Sequence, residues 1–130
     1  MSRFISGFEE LCEKLARILK GTPFHEDGEC TIMIERDLDV EILGKPYKTE
    51  HEITVQSLEH GESLNTGELV VLQKEVNPLL VALKKQGFLV TAIHNHWLFD
   101  KPKLMYIHIE SVDEPVEFAK KLRDALSVLD

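Results

Sequence analysis

VTAIHNHWLFDKPKLMYIHIE, residues Val90–Glu110, is the stretch on which the reading of this chain turns. It contains two apolar, alternating runs separated by a short polar segment with Pro102, the pattern of an antiparallel hairpin with a loop of moderate length. Three of the six histidines lie in it. A hairpin closing symmetrically about Lys101 sets His94 opposite His108 and His96 opposite Tyr106, and directly paired residues point to the same face. Same-face neighbours on a strand are about 6.6 Å apart, close enough for imidazoles to lean onto one ion with nitrogens about 2.1 Å from it.

Working outward, Glu75-Val76-Asn77-Pro78 opens a helix, since proline is tolerated in a first turn, and Gly87 is a good stop for it. That helix joins a short apolar strand, Glu68–Leu72, to the strand Phe88–His96. The two should run the same way, with their C-terminal ends on one edge where ligand sites gather. Glu75 follows the first of those ends, and His94 and His96 lie at the second. Downstream, Asp113 is expected to cap a last helix with Val116, Phe118, Ala119, Leu122, Ala125, Leu126 and Leu129 facing inward.

Upstream, Ser6 and Glu9 make a capping box for a first helix that runs to Gly21. GTPFHEDGE reads as a loop in which His25 is solvated. Even positions from Cys30 to Ile42 are apolar, marking one long strand or two in continuous register, and Arg36 interrupts the row. Arg36 is expected to turn outward at a bulge, with Asp37 as partner, although a functional arginine is the other reading. TEHEITVQSLE is a further strand, whose His51 is expected to be exposed unless this strand borders the site, and HGESLNTG a second loop. Trp97 and Phe99 can wall a pocket or cap the core. The order αβββαββα predicts one α+β domain over residues 1–130, a two-layer sandwich with a mixed sheet and three helices, in which the later βαββα portion has a ferredoxin-like option.

Composition narrows function. In 130 residues, 43% are hydrophobic and 29% charged, enough for one core. A formal charge of −8, with no basic face, argues against nucleic acid as a partner. No stretch approaches 18 apolar residues, and the N-terminus reaches acidic residues too soon for a signal peptide, so no membrane partner is expected. Cys12 and Cys30 have no metal-type spacing and are expected as reduced thiols in a cytoplasm. A small-molecule ligand and a homo-oligomer both stay open.

Several motifs carry a family resemblance. Glu75-Val76-Asn77-Pro78, Thr91-Ala92 with His94-Asn95-His96, Pro102 and Tyr106-Ile107-His108-Ile109 stand in an order and spacing that resembles the LppY/LpqO family, a bacterial domain of unknown function. Asp37-Leu38, Val40 and Gly44 fit an upstream motif of that family. Arg36 directly before Asp37, Glu68 after the glycine, and the lack of an upstream Trp and Phe pair depart from it. The resemblance implies a fold and a shared histidine site and brings no activity. Some members resemble lipoproteins, but this chain has no lipobox cysteine.

Two function classes follow. In the first, a divalent metal such as zinc is held by His94, His96 and His108, with Glu75 as fourth ligand or as base for a bound water in a hydrolytic site. In the second, the same face binds a metal or a small ligand without turnover. A plain hydrogen-bonded histidine cluster competes with both.

Overall fold

The structure is a computed structural model that describes residues 7–130. The Ser6 half of the expected capping box lies outside them. Helix α1 spans Gly7–Leu19 and turns Cys12, Leu15, Ala16 and Leu19 inward at helical spacing. The supposed loop after it is a hairpin: β1, Thr22–Glu26, pairs with β2, Glu29–Arg36, through Asp27 and Gly28, both at positive φ. That turn geometry matches the twist of a two-residue hairpin, which is how a polar, glycine-containing segment can be a strand.

Strand β2 ends at Arg36. The chain then folds into two short strands, β3 (Glu41–Ile42) and β4 (Lys45–Pro46), before β5, Thr49–Ser57. Strand β6 runs from Ser63 to Leu72, so the segment read as a second loop supplies its first half. Ser63 and Asn65 are buried there; the Ser63 hydroxyl is bonded to Asn65 Oδ1 and the Asp113 carbonyl, and Asn65 Nδ2 donates to Ser111 Oγ, so their burial leaves no polar group unmet. Helix α2 is Val76–Lys85, and Gly87 follows at φ 85°, the left-handed position of a helix stop. Next come β7 (Leu89–His94), a two-residue β8 (Asp100–Lys101), β9 (Leu104–Asp113) and α3 (Pro115–Leu126). Glu114 caps α3, accepting from the amides of Val116 and Glu117, while Asp113 pairs instead with Lys121.

The main sheet has the order β1-β2-β5-β6-β9-β7, and β4-β3-β8 forms a small second sheet. Strands β6 and β7 run the same way, as the strand, helix, strand reading requires, but β9 lies between them and is antiparallel to both. This split arrangement belongs to the ferredoxin-like type. All three helices pack on one face against Ile32, Ile53, Leu69, Val71, Ile107 and Ile109. The protein is thus a two-layer α+β sandwich. Among the described residues, the other face is covered only at one end, where Val40, Val70, Leu104 and Tyr106 form a smaller cluster with Leu38, Tyr47, Leu72 and Trp97.

The cysteines overturn the reduced-thiol expectation. Cys12 and Cys30 are joined in a disulfide that ties α1 to β2, and both are buried. The helical spacing that turns Cys12 inward and the alternation that turns Cys30 inward bring their Cα atoms to 5.6 Å.

Candidate functional site

On the uncovered face, period-two alternation sets side chains in rows across the strands. One row of paired residues reads Glu52, Glu68, His108, Ala92, and the next includes Val70, Tyr106 and His94. The hairpin closes two residues away from the symmetric arrangement expected, so that His94 faces Tyr106 and Ala92 faces His108. A shift of two preserves the face, and His94 and His108 become diagonal neighbours within side-chain reach. Their Nε2 atoms are 2.9 Å apart.

Hydrogen bonding places a proton on one nitrogen of the pair. His94 Nδ1 lies 2.9 Å from the Asn95 carbonyl, which can only accept, so Nδ1 carries the hydrogen and in the neutral ring Nε2 has the lone pair. With that ring neutral, His108 Nε2 donates to His94 Nε2. Glu68 Oε2 stands 3.5 Å from the same His108 nitrogen.

His96 lies beyond the end of β7, in the loop. Its ring stacks on Trp97 with centroids 4.5 Å apart and sits 6.0 Å from the His94 ring. Trp97 has both roles the sequence allowed: it packs on the smaller cluster, with Nε1 donating to the Tyr106 hydroxyl at 3.1 Å, and it walls a cavity of about 310 Å3 together with Tyr47, Glu52, Glu68 and His96. A second cavity, of about 290 Å3, adjoins it and is bordered by Glu52, Glu68, Thr91 and His108. Glu52 and Glu68 belong to both. Phe99 is exposed.

Glu75 is held elsewhere. Arg36 grips it bidentately at 2.8 and 3.0 Å and also donates to the Val70 carbonyl, while Glu75 accepts from the Leu72 amide. Arg36 continues the inward row of Ile32 and Ile34, so this ion pair belongs to the helix-covered side of the sheet and not to the histidine face. Arg36 hydrogen bonds hold the Glu75 carboxyl below its usual range, against the opposing effect of burial. The partner expected for Arg36, Asp37, is exposed. His51, expected at the surface, is buried on that same inner side. No short-range signal marks either choice, because Arg36 and Glu75 are 39 residues apart in sequence.

Among the described residues, no three His, Cys, Asp or Glu side chains are already arranged around one point as metal ligands. What the face presents is a hydrogen-bonded imidazole pair with a carboxylate beside it, on an α+β sheet open to solvent. The sequence pattern of the family described as Domain of Unknown Function (DUF1259) matches residues 13–128, and the chain belongs to that family. No curated protein and no solved structure matches the chain significantly. No helix among the described residues is long and apolar enough to cross a membrane.

Proposed function

We propose that the uncovered sheet face is a divalent-metal site built on His94 and His108, with Glu68 in the place first given to Glu75 and His96 within reach as a further ligand. The observation that carries this reading is the approach of the two Nε2 atoms. Tetrahedral ligation at about 2.1 Å needs the nitrogens about 3.4 Å apart, so the rings would have to part by only about half an ångström. The bond from His94 Nδ1–H to the Asn95 carbonyl is the orienting contact that a ligating imidazole commonly makes. A metal ion would take the place of the proton between the two rings. Zinc suits this donor set, and a ligand position facing the two cavities would stay open to a small molecule. On the motifs that resemble it, we also place the chain with LppY/LpqO-type proteins. The disulfide fits an oxidising compartment better than a reducing cytoplasm, and we propose that the protein works in the former.

Thermal unfolding of metal-free protein without a histidine tag, with zinc, cobalt or manganese added, tests the site. At free metal a hundredfold above the dissociation constant the expected gain is about 2.7 kcal/mol. It should be present near pH 7.5 and absent near pH 5.5, because protons compete for imidazole around its ordinary pKa of about 6.5. His94→Ala and His108→Ala should abolish the gain, Glu68→Gln should reduce it, and His60→Ala should leave it intact. No gain with any metal near pH 7.5 sinks the metal reading and leaves the face as a small-ligand binding surface.

A further inference from the structure

A cavity of about 270 Å3 lies on the helix-covered side, where the end of α3 meets the end of β2, and its charged and polar border is made by Glu35, Arg36, Asp37, His51, Arg123 and Asp130. His51 is only 2% exposed. Its Nδ1 accepts the Val70 amide at 3.0 Å, and since an amide can only donate, the proton of the neutral ring is on Nε2. Burial, with the nearby Arg36 and Arg123 guanidiniums, keeps the ring neutral and lowers its pKa to about 3, while Glu75 opposes. Among the described residues, nothing accepts from Nε2–H. Among the described residues no enclosed side-chain nitrogen or oxygen lacks a partner, so Nε2–H opens onto the cavity that His51 lines, where an acceptor can reach it.

Two guanidiniums and one carboxylate set the field at His51. Arg36 is committed to Glu75 and the Val70 carbonyl. Among the described residues, Arg123 is held only by Asp130, at 3.3 Å, and the Asp130 side chain is 72% exposed, a solvated pair that exchanges readily. Arg123 therefore has N–H groups to give.

We propose that this cavity is a second ligand site, which takes the carboxylate of a small monoanion between His51 Nε2–H and the Arg123 guanidinium, with Asp130 giving way. The charge is limited to one because Glu35, Asp37 and Asp130 border the same cavity and the C-terminal end of α3 brings a partial charge of about −0.5. A phosphate dianion meets more repulsion there than a carboxylate does. The site is separate from the histidine face, so neither proposal depends on the other.

Nuclear magnetic resonance of the His51 ring and the Arg123 guanidinium, during titration with sodium acetate, inorganic phosphate and sodium chloride at matched ionic strength, tests it. Acetate should give saturable shifts at both residues and none at His94 or His108, phosphate should bind more weakly, and chloride should give no such shifts. His51→Asn keeps an acceptor for the Val70 amide while its shorter Nδ2 donor stops short of the position of Nε2, and should raise the acetate Kd at least about tenfold. Arg123→Gln should do the same with thermal unfolding little changed, which keeps the test valid if the His51 variant fails to fold. Absence of a saturable shift at His51, an equal response to chloride, or unaltered acetate binding in Arg123→Gln overturns the site. Tighter binding of phosphate overturns its restriction to a monocarboxylate.

Discussion

His51 is held neutral by the fold, whereas in the unfolded chain it protonates below about pH 6.5. With the folded pKa lowered to about 3, the unfolded state binds the extra proton over the interval between the two values. Stability is therefore complete above about pH 6.5 and falls as pH drops toward 3, with a slope of up to about 1.4 kcal/mol per pH unit. The depressed Glu75 carboxyl adds a loss of the same sign once pH falls below the ordinary carboxylate range. Urea unfolding between about pH 7 and pH 5 should show this decline in the native protein and a flatter profile in His51→Asn, since Glu75 contributes little in that interval; identical slopes would refute the assignment. Residues differ in how legible they were. His94 and His108 could be placed on one face from sequence because alternation survives a register shift of two. Arg36, Glu75 and His51 could not, because their partners come from strands and turns far away in sequence and only the assembled sheet brings them together.

Among the elements, the helices and apolar strands were legible from periodicity, whereas two strands written in polar letters were not. Strand β1 is mostly exposed, so it has no apolar row to reveal it. The first half of β6 hides Ser63 and Asn65 by matching them with Asp113 and Ser111 on β9, a solution that propensity does not encode. The junction of α1 and β1 depends on Gly21. A Cβ there would lie 2.6 Å from Ile32 Cγ2 and 2.8 Å from the Met33 carbonyl oxygen, and a strand backbone cannot move aside as a side chain can. Gly21→Ala should destabilise by about 1–3 kcal/mol in chemical denaturation. Gly67→Ala should cost less, because its Cβ would meet only the side chains of Ile53 and Ile109, at 3.0 Å or more. Equal losses in the two variants would contradict this account of Gly21.

For the whole molecule, the Cys12–Cys30 bond closes a loop with a sequence separation of 18, and such a cross-link restricts the unfolded chain by about 3 kcal/mol in the chain-entropy account. A reductant should lower the thermal stability by an amount of that order, and the Cys12→Ala/Cys30→Ala double variant should have lost the response. Two free thiols titrating in unfolded protein without reductant would rule the bond out. The position of β9 has a consequence of another kind, in the order of events during synthesis. Strand β6 hydrogen-bonds along its whole length to a partner that begins 32 residues after β6 ends, and among the described residues β7 has no other neighbour in the main sheet. A ribosome that has released residues only as far as β7 therefore holds two strands pointing the same way with an empty lane between them. Until Leu104–Asp113 emerges to fill that lane, the inward side chains of Leu69 and Val71 lie beside an unpaired strand edge. Over that interval the nascent chain is open to pairing with the wrong strand, and the arrival of one segment closes the sheet and positions His108 beside His94 in the same step.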